Sequence, residues 1–296
     1  MYRKIVQKWG LSFVERIVIM NNVQQFHRFF DDSAVYYPCF VPLDRAIGEH
    51  FDRQNKPMSR FIGTLILPLA KLEEAAQYTG DEVLRVSAVI STDGLADLRR
   101  DFYELPNIDI ASVEIKLVGA ALTNTAWLGD VEKLIQQHRN TFVWVEIPTA
   151  LVTADIVRKL RHMGAGLKYR TGGDREELFP SPQDLVTVLR TAIDAALPFK
   201  LTAGLHRALR YRDEKTGRLH FGFLNIAAAV ATLRAGKGEA EALKILEGDD
   251  AAPLIHALQS GENWRDSFRS FSTCNVVEPL NTLIDLDVLA EGDVHP

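Results

Sequence analysis

Short apolar runs alternate with helix-forming stretches along most of this chain. The runs that predict strands are Ala34–Val41, Arg60–Leu67, Val83–Ile90, Ala111–Val118, Thr141–Ile147, Gly166–Arg170, Phe199–Ala203 and Leu219–Gly222. Most of them are apolar along their whole length, as expected for strands covered on both faces of a parallel sheet. No Gly-x-Gly-x-x-Gly turn follows the first run, which weighs against a dinucleotide-binding open sheet. The alternation therefore predicts an α/β fold of the (β/α)8 TIM-barrel type.

Helical segments flank the predicted barrel on both sides. Apolar residues recur at three- and four-residue steps over residues 11–30, which predicts an N-terminal helix ended by Asp31 and Asp32. This acidic pair is typical of a cap or a solvated turn, with a metal site as the alternative. After Gly236 the pattern predicts helices over 239–246, 251–258 and 276–290. We therefore expect one barrel domain over 1–296, with the barrel in 31–236 and a helical appendage in 237–296.

Composition and charge narrow the class of protein. Hydrophobic residues make up 47% of the 296, and the net charge of −5 gives no basic field for nucleic acid or an anionic membrane. The start, MYRKIVQKWGLSF, lacks the apolar core of a signal peptide, and no apolar run is long enough to span a membrane. Cys39 and Cys274 form neither a disulfide framework nor a CxxC motif. We expect a cytoplasmic protein with a small-molecule substrate, and homo-oligomer formation stays open.

Two lysines stand inside apolar strand runs, each just before a glycine turn. Lys168 and Lys200 lie about one strand-plus-helix unit apart. A charge in such a run is costly unless it is paired or faces a polar cavity. In (β/α) barrels the active site gathers at the carboxyl ends of the strands. The polar residues near those ends are Glu114, Lys116, Glu146, Lys168, Arg170, Lys200, Thr202 and His206. Each of these residues, taken alone, could equally be a rim residue in a structural salt bridge.

The segments around these lysines resemble a known family. The chain reads GLKYRTGG, then PFKLTAGLH, then LHFGFLNIAAAVATL. This order is similar to that of deoxyribose-phosphate aldolases, which are class I aldolases with a (β/α)8 barrel. That family has a Lys-x-Ser-Thr-Gly strand end, a later lysine strand ending in Ala-Gly-Gly, and a Phe-Gly-Ala-Ser-Ser turn before an alanine-rich helix. The resemblance covers residues 110–235. The chain also resembles uncharacterised bacterial proteins that share its Asp-Asp-Ser-Ala run and Glu278-Pro279, which implies no activity.

The aldolase resemblance implies roles for four residues. Lys168 would be the Schiff-base lysine, and Lys200 the neighbouring lysine that lowers its pKa. Glu114, in VEIKLV, would stand where the family has an essential acid, and Glu146 lies on the following strand. The chemistry is consistent, because a lysine attacks a carbonyl only as the free amine and its ordinary pKa is about 10.4. A carboxylate could then relay protons. We therefore expect a Schiff-base lyase that acts on a small carbonyl compound, with or without a carboxylate.

The chain departs from the family around the expected substrate. Arg170 replaces a serine and could hold a substrate carboxylate or form a salt bridge with Glu146. Leu205 and Phe221–Asn225 replace groups that grip phosphate in the family, so a phosphorylated substrate is not expected. Thr171, Gly172 and Gly173 still predict an open turn that could accept an anion. The expected substrate-binding residues are Arg170, Thr171, Gly172, Gly173, Thr202, Gly204, His206 and Asn225, the last also as a helix cap.

Two other functions remain open from the sequence. One is a barrel that binds a small anionic ligand through Arg170, Lys200 and His206, without Schiff-base chemistry. The other is an assembly protein that uses an exposed apolar face of residues 239–290. The eight histidines contain no HExxH and no tightly spaced pair, and no nucleophile elbow of the GxSxG type occurs, so we expect no metal and no cofactor.

Overall fold

Eight parallel strands close into a barrel. In the computed structural model, which describes residues 23–98, 100–260 and 263–296, they follow one another around the barrel in the order β1, β10, β7, β6, β5, β4, β3, β2. Their bounds are β1 Phe30–Asp32, β2 Ile62–Pro68, β3 Leu84–Ser91, β4 Ile108–Lys116, β5 Phe142–Glu146, β6 Gly166–Arg170, β7 Phe199–Thr202 and β10 Phe268–Thr273. The expected (β/α)8 barrel is therefore confirmed, and β2 to β7 lie close to their predicted positions.

Helices fill the connections between the strands. They span Leu43–Gln54, Leu72–Ala75, Trp127–Gln137, Ala154–Met163, Pro182–Asp194, Phe223–Arg234, Glu239–Leu246, Ala251–Ser260, Val277–Asp285 and Glu291–Val294. Thr153 and Ser181 cap two of them by accepting a hydrogen bond from a backbone N–H three residues on.

The first strand lies earlier in the chain than the sequence predicts. We expected it at Ala34–Val41, but β1 is Phe30–Asp32, and the residues after it form turns over the barrel mouth. The Asp31–Asp32 pair is therefore neither a cap nor a solvated turn, because both side chains are buried at a strand end. The predicted helix over 11–30 falls mainly outside the described residues, and within them Val23–Phe26 is a short 3-10 helix.

The eighth strand comes from the segment that we assigned to a helical appendage. Leu219–His220 pairs with Tyr211–Arg212 in a small antiparallel hairpin, β8–β9, and is not part of the barrel. The barrel closes instead through Phe268–Thr273, which pairs with β7 on one side and β1 on the other. The division into 31–236 and 237–296 therefore differs from the structure. In β10 only Phe268 and Phe271 are apolar, so its sequence shows no apolar run.

Aromatic packing covers the outer face of this closure. Phe29, Phe30, Phe223, Phe268 and Phe271 form a set of ring contacts between β1, β10 and the helix Phe223–Arg234. That helix is buried nearly all round, since the helices at 182–194, 239–246 and 251–260 pack against it. No helix in the described ranges is long and apolar enough to cross a membrane.

One covalent link joins the two ends of the barrel sequence. Cys39, in the loop after β1, forms a disulfide with Cys274, directly after β10, with 5.9 Å between their Cα atoms. The sequence did not predict this bond, because two cysteines make neither a disulfide framework nor a CxxC motif. The parallel pairing of β1 with β10 brings them together, because both follow strands that end side by side at the barrel mouth.

Candidate functional site

Six charged side chains form an alternating chain inside the barrel. Lys200 Nζ lies 2.7 Å from Asp31 Oδ2 and 2.6 Å from Glu114 Oε1. Lys168 Nζ lies 2.8 Å from Glu114 Oε2 and 3.0 Å from Glu146 Oε2. Arg170 Nε donates a 2.9 Å hydrogen bond to Glu146 Oε1. We call this set the ion-pair chain, in the order Asp31, Lys200, Glu114, Lys168, Glu146, Arg170. It holds three cations and three anions, so its net charge is zero.

Strand register explains why these residues meet. Glu146, Lys168 and Lys200 are lateral neighbours on β5, β6 and β7. Side chains two apart on a strand share a face, so Arg170 follows Lys168 on the same side. Below them the Trp144 ring lies 6.0 Å from Lys200 Nζ and forms part of the floor. Gly166 makes room for this ring, since a Cβ there would lie 2.4 Å from Trp144 Cζ3.

Exposure falls along the ion-pair chain from Arg170 to Glu114, and Asp31 at the other end is 7% exposed. The side chains of Arg170, Glu146 and Lys168 are 30%, 10% and 6% exposed, whereas those of Lys200 and Glu114 are 1% and 0% exposed. Lys200 also donates hydrogen bonds to both of its carboxylates. Of the two lysines, Lys168 is therefore the one that a small molecule entering from the mouth reaches first.

The charges around Lys168 do not lower its pKa, in contrast to what the resemblance to the aldolases would imply. Burial alone would lower the pKa of Lys168, but the charges of Glu114 and Glu146 outweigh it and raise that pKa above its ordinary value. The charge of Lys200 lowers the pKa of Lys168, but this effect is smaller than that of the two carboxylates. Burial raises the pKa of Glu146, yet Lys168 and Arg170 outweigh burial and bring it to about 2. The pKa of Glu114 is also lowered, because the charges of Lys168 and Lys200 outweigh the effect of burial. The charges around Lys168 therefore favour its protonated form, and the lowering of its pKa by Lys200 that we expected is outweighed by the two carboxylates.

Asp31 is a member of the site that sequence reasoning missed. Its Oδ2 accepts from Lys200 and from Ser270 Oγ at 2.7 Å each, and its Oδ1 accepts from the backbone N–H of Thr64 at 3.0 Å. The Thr64 hydroxyl begins a row of hydroxyls with Ser87 and Ser112 across three strands. The sequence feature that could have indicated a strand here is the apolar Phe29–Phe30 pair directly before Asp31. Two apolar residues are few for a strand.

The turn after β6 is not the open turn that the sequence predicts. Thr171 is 1% exposed, and its Oγ1 donates a 2.6 Å hydrogen bond to the carbonyl of Ala203. Gly172 packs directly on Gly204, where a Cβ on Gly172 would lie 2.8 Å from the Gly204 Cα. Gly204 has a φ of +76° and needs glycine for that conformation. Gly173 packs against Leu178. These residues join the β6 and β7 loops and present no open anion cradle.

The other three expected binding residues lie in different environments. Thr202 is buried at the end of β7, inside the mouth. His206 lies further along the same loop, with Nδ1 3.4 Å from Thr273 Oγ1, and burial lowers its pKa. Asn225 is fully buried, accepts from the Arg210 N–H and donates to the Ile245 and Gly248 carbonyls. Asn225 therefore holds loops together and does not cap the helix, which begins after Gly222.

The stretch compared with the phosphate-gripping turn is closed. The N–H groups of Phe223 and Leu224, which begin the alanine-rich helix, donate to the carbonyls of Arg207 and Ala208. A Cβ at Gly222 would lie 2.4 Å from three neighbouring atoms, so the backbone there is tightly packed. These N–H groups are therefore not available to an anion, as the departures from the family pattern predicted.

A separate cleft opens at the opposite end of the barrel. It has a volume of about 500 Å³ and lies at the starts of β2 and β3, with Arg28, His50, Gln54, Arg60 and Arg85 among its lining residues. Nearby, Asp32 pairs with His50 and Arg53 outside the barrel interior. None of the expected site residues lines this cleft, so it does not belong to the ion-pair chain.

Comparisons with known proteins assign no family to this chain. No family model and no curated protein matches the sequence. Among solved structures, the chain is similar to one described as a putative deoxyribose-phosphate aldolase from Coccidioides immitis. The TM-score is 0.47 and the identity 11%, over 92% of this chain and 97% of that one. At this identity and TM-score the similarity assigns neither a family nor an activity.

Proposed function

We propose that this barrel is a Schiff-base lyase of the aldolase type, acting on a small, unphosphorylated carbonyl compound through Lys168. The observation that carries the proposal is the place of Lys168. It is the lysine of the ion-pair chain nearest the mouth, and two carboxylates lie within 3.0 Å of its Nζ. The closed backbone at the start of the alanine-rich helix supports a substrate without a phosphate at that position.

Charge balance in the ion-pair chain supports this chemistry. A ketone or aldehyde and a lysine ammonium combine to give an iminium ion and water, and one positive charge is present before and after. Both hydrogens of the released water come from the ammonium nitrogen and none from bulk solvent. The three buried carboxylates therefore keep three cationic partners throughout. A buried ion network that lost one charge would leave a carboxylate uncompensated, which is costly.

The carboxylates have a defined task in this scheme. Lys168 must lose a proton before its nitrogen lone pair can attack the carbonyl carbon, and Glu114 and Glu146 are placed to take it. Because both carboxylates have lowered pKa values, they hold the proton only transiently and pass it to the carbonyl oxygen. The iminium then withdraws electrons from the adjacent carbon, so that a carbon–carbon bond can break.

The alternative functions find less support. An anion clamp needs free cations, but Arg170 is paired with Glu146, and Lys200 is sealed between Asp31 and Glu114. Assembly through residues 239–290 would need an exposed apolar face. In the described part of that segment the large apolar side chains are buried or half-buried. Arg170 still reaches the mouth, so a substrate carboxylate could exchange with Glu146 for its guanidinium.

Reductive trapping tests the proposal. Incubation with acetaldehyde or pyruvate and sodium cyanoborohydride should attach the reduced adduct to Lys168, located by peptide mapping and mass spectrometry. Because Lys168 passes its proton to Glu114 or Glu146 and not to solvent, the rate should change little with pH through the neutral range. Lys168→Arg should form no adduct, since guanidinium stays protonated.

The matched control is Lys116→Arg, which changes an exposed lysine at the neighbouring β4 strand end and should leave trapping intact. An adduct on Lys200 in place of Lys168 would reverse the two roles. No adduct with either compound between pH 6 and 10, in folded protein, would refute a Schiff-base function.

A further inference from the structure

The loop after β1 lies over the barrel mouth in a fixed conformation. Ser33 N–H donates to the Thr273 carbonyl on the neighbouring β10 strand end, and Ala34 N–H donates to Asp32 Oδ1. Within the loop, the Tyr36 N–H donates to the Ser33 carbonyl at 2.9 Å. The disulfide from Cys39 to Cys274 ties the far side of the loop to the same strand end. Tyr36 is thus held at both sides by contacts to the barrel.

The phenol of Tyr36 has an environment that the fold alone does not explain. Its hydroxyl is buried and has no hydrogen-bond partner in the described part of the chain. Buried hydroxyls are nearly always bonded, so each exception calls for a reason. Burial raises the pKa of Tyr36 well above its ordinary value, and the charges of Glu114 and Glu146 raise it further. The phenol therefore stays protonated, and it lies near enough to Glu114 and Glu146 to interact with their charges without a hydrogen bond to either.

We infer that Tyr36 is a catalytic residue of this site, whose hydroxyl donates a hydrogen bond to the oxygen of the carbonyl that Lys168 attacks. This inference rests on the proposed function. It adds a group that neither the sequence pattern nor the family resemblance assigns. A donor that is preorganised in a buried site costs no reorganisation when charge develops on the oxygen.

The step balances with Tyr36 in this role. The lone pair of neutral Lys168 Nζ forms the new bond to carbon, and the carbonyl π pair moves to oxygen. That oxygen takes the phenol proton, and the phenolate recovers a proton that Lys168 has released to Glu114 or Glu146. The carbon–oxygen bond then breaks, the oxygen leaves as water with a second proton from the same nitrogen, and the iminium remains. No oxidant, reductant or further reactant is needed.

The test compares Tyr36→Phe with the wild type in the cyanoborohydride assay with acetaldehyde. Loss of the hydroxyl should slow adduct formation on Lys168 about 100-fold, within the range for a positioned proton donor. The ratio of the two rates should be the same at pH 7 and pH 9, because the phenol does not ionise in that interval. Tyr37→Phe, at the exposed neighbouring tyrosine, should react as the wild type does.

Folding is controlled separately. The Tyr36 hydroxyl makes no hydrogen bond to any described residue, so Tyr36→Phe should keep the wild-type melting temperature. Tyr36→Ala, which also removes the ring, should slow adduct formation by at least as much. Wild-type adduct formation with an unchanged rate in Tyr36→Phe would overturn the role of Tyr36 and leave the lyase proposal standing. Absence of any adduct in the wild type would overturn both.

Discussion

Individual charges inside this barrel are tolerated because each has a partner of opposite sign. Lys200 is the clearest case, since its side chain is 1% exposed and bonds Asp31 and Glu114 at 2.7 and 2.6 Å. The partners come from strands far apart in sequence. Such pairs contribute little net stability compared with apolar residues of the same volume, but removal of one partner leaves a buried charge uncompensated. The individual residues are therefore interdependent.

Lys200→Met tests this interdependence. It should lower the free energy of unfolding by about 3–5 kcal/mol at pH 7, because two buried carboxylates lose their cation. Glu114 and Glu146 have lowered pKa values in the fold, so they stabilise it above their ordinary pKa. That contribution is lost as the pH falls from 4.5 towards about 2. In Lys200→Met the pKa of Glu114 rises, so the stability difference from the wild type should narrow on acidification.

The measurement is urea unfolding between pH 7 and pH 3, with Lys116→Met as the control on an exposed lysine. A variant as stable as the wild type at pH 7 would mean that the ion-pair chain does not depend on Lys200.

At the scale of elements, close packing between neighbouring strands sets the floor of the site. Trp144 on β5 fills the barrel beneath Lys200, and its ring occupies the space beside Gly166 on β6. A Cβ at Gly166 would also lie 2.9 Å from Phe142 Cε1. The strand β6 therefore combines a glycine that admits the tryptophan with Lys168 and Arg170 further along the same face.

Gly166→Ala should destabilise the protein by about 1–3 kcal/mol through overpacking. Trp144→Phe in the same chain should relieve much of this loss, because the smaller ring leaves space for the new methyl group. The two changes should thus be non-additive in thermal or urea unfolding. Gly129→Ala is the matched control, since a Cβ there meets no atom within 4 Å and the residue lies in a helix. Additive losses would contradict the proposed contact.

At the scale of the whole molecule, the barrel closes between its first and last strands. Phe30, Asp31 and Asp32 on β1 pair with Phe271, Ser272 and Thr273 on β10. The disulfide Cys39–Cys274 crosses the same seam and joins cysteines with a sequence separation of 235. The helix Val277–Asp285, which begins close to the predicted start but ends before residue 290, then packs Leu280 and Leu283 into the core, with Val276 buried at its start. The closure is thus held by hydrogen bonds, apolar contacts and one covalent bond.

Reduction of the disulfide should lower the stability of the closed barrel. In the chain-entropy model a loop of this length contributes up to about 5 kcal/mol. The urea midpoint should fall on addition of a thiol reductant, and Cys39→Ser/Cys274→Ser should match the reduced wild type and not respond to reductant. Two free thiols in denatured, air-oxidised wild type, detected by alkylation and mass spectrometry, would contradict the pairing.

What the sequence determined by itself follows from local patterns. Continuous apolar runs located β2 to β7, and these strands place Glu114, Glu146, Lys168 and Lys200 where a barrel gathers its polar residues. The short β1 and the half-polar β10 were missed, because their inward side chains are polar and only the closed barrel shows what they pair with. Asp31, the Cys39–Cys274 bond and the raised pKa of Lys168 were likewise decided by tertiary structure. The physical reason is that the sign of an electrostatic shift depends on distances between charges that lie far apart along the chain, and no local pattern records those distances.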